Sequence, residues 1–194
     1  LALSAIDIAM WDLKAKAAGE PLYRLLGGAR STVEVYASAI NLHLSKDDLL
    51  AQTRGQLEEG YRAFKIKVGR PGLDEDRERV MAVRKLIGPD CQLMLDANQK
   101  WSPGEAIQRS RLLLEAAPLF LEEPLLSDTI DGHAVLRAAT GMPIAAGEQL
   151  CNRFEFWNYI RAGALDFLFL GVHRLRDVDG EHLVRRHGHA VVVA

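Results

Sequence analysis

Cysteine is scarce in this chain of 194 residues. Cys91 and Cys151 are its two cysteines, which is too few for the disulfide framework of a small secreted fold. The opening segment LALSAIDIAMWDLKAK also lacks the basic start and the cleavage pattern of a signal peptide. We therefore expect a protein of the reducing cytoplasm.

Long apolar runs and a strong charge of either sign are missing as well. No stretch of 18 apolar residues occurs, so we expect no transmembrane helix. The net charge is −2, which gives no reason to expect binding to nucleic acid or to a membrane surface. With 48% hydrophobic and 26% charged residues, the composition is that of an ordinary globular protein.

Several well-known catalytic and nucleotide-binding motifs are absent from the sequence. It contains no HExxH, so a zinc protease is not supported, and no GxSxG nucleophile elbow. It contains neither GxGxxG nor GxxxxGK[ST], so nothing points to nucleotide binding.

The sequence does show a regular alternation of strand-like and helix-like segments. The predicted strands are 33–40, 63–68, 91–96, 119–122, 143–148, 165–170 and 190–193. The predicted helices are 4–18, 46–59, 74–87, 103–116, 130–140, 153–162 and 177–187. Because helices join all the strands, the sheet should be parallel and the fold α/β. Seven strands in 194 residues fall short of a full eight-stranded barrel of about 250 residues, so we expect a partial (β/α) barrel.

Three carboxylates follow apolar runs at equal spacing. Glu122 follows Asp96 by 26 residues, and Glu148 follows Glu122 by 26 residues. This interval is about the length of one βα unit. The C-terminal ends of parallel barrel strands converge on one mouth, where three carboxylates would repel one another without a cation between them. Three oxygen ligands suit a hard divalent ion such as Mg²⁺.

Two lysines share one face of the strand AFKIKV. Lys65 and Lys67 alternate with Ile66, so both point to the same side of the sheet. One interpretation is a pair of solvated surface lysines. The other is a general base beside the metal, because a nearby cation and a second ammonium both lower the pKa of a lysine.

Other polar residues lie near the predicted strand ends. Asn98 is predicted to bind substrate, the ion or its water, although a role as a turn former explains it equally well. His43 follows the first strand and is predicted to line the mouth. His173 follows the sixth strand and is a further candidate, whereas His133 and Trp101 are predicted to be structural.

Five motifs in order resemble the enolase superfamily. They are SAIDIAMWDLKAKAAGEPLYRLLGG, KIKVG, LMLDANQKW, LEEPL and AAGEQL. Within it the chain is similar to the mandelate racemase/muconate lactonizing enzyme family, and LEEPLLSDTIDGHAVL resembles its acid-sugar dehydratases of the talarate/galactarate type.

The resemblance implies a Mg²⁺ site at Asp96, Glu122 and Glu148. It implies that Lys67 removes the proton α to a substrate carboxylate, with Lys65 as its neighbour. The expected reaction is dehydration of an acid sugar to a 2-keto-3-deoxy acid, with racemisation or epimerisation of a 2-hydroxy acid as the alternative. The expected partners are a small carboxylate substrate and further copies of the chain.

The chain also departs from the family pattern. Gly171 occupies the place of an Asp near the end of the sixth strand, and Ala194 falls at or next to a His of the seventh. The capping domain and the last barrel unit are expected to be missing, so that 1–30 form a helix and turn and 31–194 an incomplete barrel. We therefore expect little turnover of galactarate-like acids, and a catalytically inactive fragment is the alternative from another class.

Overall fold

The computed structural model describes residues 2–28, 34–169 and 190–192. Its strands form one parallel sheet in chain order: β1 (Ala37–Ser38), β2 (Ala63–Lys67), β3 (Gln92–Asp96), β4 (Phe120–Glu122), β5 (Ile144–Ala146), β6 (Phe167–Phe169) and β7 (Ala190–Val192). Its helices are α1 (Ala2–Ala18), α2 (Leu22–Leu25), α3 (Lys46–Glu58), α4 (Leu73–Ile87), α5 (Pro103–Leu113), α6 (Ile130–Thr140) and α7 (Arg153–Arg161), with a 3₁₀ turn at Leu114–Ala116.

The predicted fold class is confirmed: parallel strands alternate with helices in an α/β arrangement. The predicted strand 33–40 is wrong in extent, because of its described residues, 34–40, only Ala37 and Ser38 pair with β2. A side chain replaces the missing strand contact beyond them, since the backbone amide of Lys67 donates to Asn41. The predicted helix 177–187 lies outside the described residues.

Capping residues begin several of the helices that follow strands. Ser45 accepts a hydrogen bond from the backbone N–H of Asp48, and Ser102 accepts one from Glu105. Asn152 caps α7 in the same way. These side chains satisfy N–H groups that have no partner inside the helix, and so they fix the loops between strand ends and helices.

The two faces of the sheet have different apolar contacts. Phe64, Ile66 and Leu95 belong to the main core cluster, which also includes residues of α3 to α6. On the opposite face Phe120 packs against Phe169, with ring centroids 5.4 Å apart. The alternation along each strand therefore places the side chains of Lys65, Lys67, Asp96 and Glu122 away from the main core.

Helix α1 contributes little to this core. Leu3, Ile6, Met10 and Leu13 are all exposed, whereas Ala15 is buried.

Within the described ranges, no helix is long and apolar enough to cross a membrane.

A buried ion pair connects the segment after β2 with α5. The carboxylate of Asp76 is fully buried and accepts from Arg109 at 2.7 Å and from the backbone amide of Gly69 at 2.8 Å. It also accepts from the amide of Arg70. Burial raises the pKa of Asp76 more than these donors lower it, so the charged carboxylate depends on all of them.

Asp76→Ala is expected to lower the free energy of unfolding by about 3–5 kcal/mol, because it removes the buried carboxylate that pairs with Arg109 and accepts from the amides of Gly69 and Arg70. Urea denaturation of both proteins measures the change. Asp74→Ala is the matched control, since Asp74 is an exposed carboxylate in the same first turn of α4. Equal losses in the two variants would contradict the structural role of Asp76.

We expect His133 to make the stability of the folded protein depend on pH. It lies in α6, as predicted, fully buried, with Nδ1 2.9 Å from the Thr129 carbonyl oxygen. Burial lowers its pKa, and the Thr129 bond only partly opposes this. Below the ordinary pKa of 6.5 the unfolded chain therefore binds a proton that the folded chain does not, and stability falls as the pH falls.

We expect the free energy of unfolding to drop by up to about 1.4 kcal/mol for each pH unit below that point, as for one proton. Thermal unfolding at pH 7.5 and 5.5 measures the effect, which His133→Gln should reduce. His43→Gln serves as the control, because His43 is exposed. An unchanged pH profile in His133→Gln would assign the dependence to other groups.

Candidate active site

Two lysine ammonium groups meet two carboxylates at the C-terminal ends of β2, β3 and β4. Lys67 Nζ lies 2.5 Å from Asp96 Oδ2, and Lys65 Nζ lies 2.6 Å from Glu122 Oε2 and 3.8 Å from Asp96 Oδ2. The sheet register brings them together, because Lys67 is opposite Asp96 and Asp96 is opposite Glu122. The interpretation of the lysines as a solvated surface pair is therefore wrong: the side chain of Lys65 is 11% exposed and that of Lys67 18%.

Lys65 sits among aromatic rings as well as carboxylates. Its Nζ lies 5.1 Å from the ring centroid of Tyr36 and 5.8 Å from that of Phe169. Burial alone would lower the pKa of Lys65, but the charge and hydrogen bond of Glu122 outweigh it, so the pKa is raised. With the contacts that the structure describes, the pKa of Lys65 is thus raised rather than lowered, because its ammonium faces two carboxylates.

Burial and neighbouring carboxylates disfavour the negatively charged form of Glu122. Its pKa is raised to about 7. Burial and the negative charge of Asp96 raise it, and Lys65 opposes them. Glu148 raises it further, so Glu148 acts on the same centre. A positive charge in addition to the two lysines would stabilise this group of carboxylates.

Glu123 belongs to the same cluster, although sequence analysis assigned it no role. It is 3% exposed and accepts from Gln99 Nε2 at 2.9 Å. Its pKa is raised to about 7, first by burial and then by the charge of Glu148 and a hydrogen bond shared with it. The only sequence signal for Glu123 is its place directly after Glu122.

The loops after β3 and β4 hold unusual backbone conformations. Asn98, Gln99 and Glu123 have φ angles of 45°, 61° and 41°, a region that residues other than glycine rarely adopt. Two hydrogen bonds hold them, from the Gln99 amide to the Glu123 carbonyl at 2.7 Å and from the Ser127 amide to Gln99 Oε1 at 3.0 Å. Such conformations concentrate at functional sites, where the surrounding structure compensates their cost.

Glu148 follows β5 and is exposed. Gly147 before it has a φ of 151°, and a Cβ built there would lie 2.1 Å from the Phe169 carbonyl oxygen. Only glycine therefore fits where β5 and β6 approach each other, and this fixes the start of the loop that carries Glu148.

The three predicted metal ligands do not all have the same kind of contact partner. Asp96 and Glu122 are bound by lysines, whereas Glu148 shares a hydrogen bond with Glu123. Among the residues that the structure describes, no three His, Cys, Asp or Glu side chains lie in an arrangement that could hold a metal ion. The assignment of all three to one ion stays a prediction.

The two predicted substrate-binding residues are less closely tied to this centre. Asn98 is exposed, and its backbone amide donates to Asp96 Oδ1 at 3.0 Å, so it orients that carboxylate through the main chain. His43 is exposed in the loop after β1. Their roles in substrate binding stay predictions. Trp101 is buried, as expected of a packing residue, while Gly171 and His173 lie outside the described residues.

Two family models match this chain. Residues 48–180 match the enolase C-terminal domain-like family. Residues 1–27 match the mandelate racemase/muconate lactonizing enzyme N-terminal domain. The chain belongs to the mandelate racemase/muconate lactonizing enzyme family of the enolase superfamily, a family of dehydratases and isomerases.

Two curated relatives have different named activities. One is a 3,6-anhydro-α-L-galactonate cycloisomerase of Streptomyces coelicolor, 44% identical over 84% of this chain and 45% of its own length. The other is an L-talarate/galactarate dehydratase of Salmonella typhimurium, 43% identical over 86% of this chain and 42% of its own length. The chain thus spans less than half of either protein.

A solved structure shows the same fold with ligands bound. It is an L-talarate dehydratase from Polaromonas, complexed with Mg and L-glucarate. The TM-score is 0.82 at 35% identity, over 98% of this chain and 55% of that one. This relative of the chain therefore binds Mg and L-glucarate.

Proposed function

We propose that this chain carries a site for Mg²⁺-dependent removal of the proton α to a carboxylate, and that the reaction is dehydration of an acid sugar, an aldarate or aldonate, to a 2-keto-3-deoxy acid. The observation that carries the proposal is the contact of Lys67 Nζ with Asp96 Oδ2 at 2.5 Å, beside the Lys65–Glu122 pair. An amine next to a carboxylate that can bind metal is the arrangement that this chemistry needs.

The chemistry of the donor set suits a magnesium ion, although in this structure Asp96 and Glu122 contact lysines and Glu148 contacts Glu123. Asp96, Glu122 and Glu148 offer hard oxygen atoms, and Asp96 and Glu122 are buried. Burial, together with repulsion from Asp96 and Glu148, raises the pKa of Glu122, and two ammonium groups already lie against the carboxylates of Asp96 and Glu122. These three residues would hold the ion, which, when bound, stabilises the negative charge that develops on the substrate carboxylate.

Lys67 is assigned as the base. Its side chain is partly exposed, so its amine can reach a substrate at the mouth of the sheet, whereas Lys65 is more deeply held between Glu122 and Tyr36. Neutral Lys67 would accept the α-proton, and charged Lys65 would stabilise the resulting enediolate.

Racemisation or epimerisation of a 2-hydroxy acid is the second candidate function. It uses the same metal ligands and the same Lys67, and it differs only in returning a proton to the α-carbon. The exposed apolar face of α1 favours a third alternative, in which the chain pairs with other chains without catalysing a reaction.

Product analysis separates these possibilities. The chain is incubated with Mg²⁺ and a panel of sugar acids, and the products are identified by mass spectrometry and NMR. A 2-keto-3-deoxy acid supports dehydration, an epimer supports the second function, and unchanged acids without α-proton exchange support the third.

We further propose a cytoplasmic location and a homo-oligomeric state. The two cysteines are free, Cys91 buried and Cys151 exposed, as suits a reducing compartment. Sedimentation analysis of the purified chain measures the oligomeric state.

A further inference from the structure

Strand β2 extends further toward the site than its neighbour β1. The pairing of β1 with β2 ends at Ser38 opposite Lys65. Lys67, two residues later, therefore lacks a partner from β1. The side chain of Asn41 supplies one, because its Oδ1 accepts from the backbone N–H of Lys67 at 2.8 Å.

The residue that follows β2, Val68, is held from the other side. The backbone amide of Val68 donates to the carbonyl oxygen of Asp96 at 2.9 Å. The backbone of Lys67 thus lies between a β3 main-chain contact and the Asn41 side chain. Of these two contacts only that of Asn41 is made by a side chain, so a single substitution can remove it.

Asn41 is itself fixed by groups around it. It is 2% exposed, and its backbone carbonyl accepts from Arg79 Nη2 at 2.9 Å. The carbonyl of Leu42 accepts from Arg70 Nε, also at 2.9 Å. The loop after β1 is therefore bound by two arginines from the segment that follows β2, and Asn41 holds Lys67 from a fixed position.

We infer that Asn41 is a positioning residue for Lys67: its side-chain oxygen takes the place of a strand partner and fixes where the Lys67 ammonium lies beside Asp96. The inference rests on the proposed function for the role that it gives to Lys67. Small displacements of a reacting group cost large factors in rate, so loss of this contact should affect proton transfer more than substrate binding.

Amide hydrogen exchange tests the contact directly. In the ¹⁵N-labelled chain, Asn41→Ala should speed exchange of the Lys67 amide by about fivefold or more, the factor for one ordinary hydrogen bond. The Val68 amide is the internal control, since its acceptor is Asp96. Asn41→Asp keeps an acceptor oxygen at the same position and should restore protection of Lys67.

Thr53→Ala is the matched control for lost stability. Thr53 is also 2% exposed, and its hydroxyl donates to the Leu49 carbonyl within α3. This variant should leave exchange of the Lys67 amide unchanged. Unchanged Lys67 protection in Asn41→Ala, or equal loss in Thr53→Ala, would overturn the inference.

Exchange of the substrate α-proton with deuterium gives the second readout. Asn41→Ala should slow it about 10–100-fold at saturating sugar acid, with little change in apparent KM, and Asn41→Asp should recover most of the rate. An unaffected rate in an Asn41→Ala chain whose Lys67 amide is unprotected would also overturn the inference. Absence of α-proton exchange in the unaltered chain would instead count against the proposed function, and the amide measurement then decides the inference alone.

Discussion

Lys67→Ala is expected to abolish exchange of the substrate α-proton with D₂O. General-base catalysis contributes about 10²–10⁴-fold, and in the proposed site Lys67 is the group that accepts the proton. The rate is measured by NMR on a sugar acid in D₂O with Mg²⁺. Calorimetry should show that Mg²⁺ binding is largely retained, because Asp96 and Glu122 remain.

Lys67→Arg is the sharper variant of the same test. Arginine keeps a positive charge near Asp96, yet its guanidinium does not lose a proton in proteins. It should therefore preserve the fold and still abolish exchange. Lys100→Ala, at an exposed lysine after β3, should leave exchange unchanged. Normal exchange in Lys67→Ala would move the base to Lys65 or His43.

Removing the three carboxylates is expected to abolish magnesium binding. In the triple variant Asp96→Ala, Glu122→Ala and Glu148→Ala, calorimetry should show Mg²⁺ affinity lower by more than about 100-fold. Loss of groups that merely orient metal ligands already costs about 10–100-fold. In the unaltered chain an ordered ion should lie about 2.0–2.1 Å from these oxygens.

Two further variants make this result interpretable. The triple amide variant, Asp96→Asn with Glu122→Gln and Glu148→Gln, keeps the side-chain shapes near the two lysines and should still lose affinity. Asp47→Asn with Glu58→Gln and Glu59→Gln removes the same charge from three exposed positions in or next to α3. Affinity in the first triple variant equal to that of the unaltered chain would disprove the metal site.

Much of the architecture follows from local sequence patterns. Apolar runs of strand length and capping residues such as Ser102 predict where β3 begins and ends and where α5 starts, within one or two residues. The equal spacing of acidic residues predicts that Asp96 and Glu122 stand at strand ends. Each strand end depends on residues that are close in the sequence, and the parallel register then brings Asp96 and Glu122 together.

The parts that sequence patterns did not predict depend on contacts between distant segments. The role of Asn41 arises because β1 stops before β2 does, and no local pattern encodes that difference. Glu123 enters the cluster through a backbone φ of 41° and a bond from Gln99, which is 24 residues away. The raised pKa of Lys65 likewise follows from its distance to Glu122, which only the folded chain defines.

Deuterium uptake at the α-carbon of a sugar acid by the unaltered chain, with Mg²⁺ and with a chelator, tests the central claim most directly. It requires only the metal site and Lys67, whereas loss of the β-hydroxyl also needs a general acid. The proposed site predicts uptake with Mg²⁺ and none with the chelator. No uptake in a chain that has bound Mg²⁺ and a sugar acid, or equal uptake with the chelator, would contradict it.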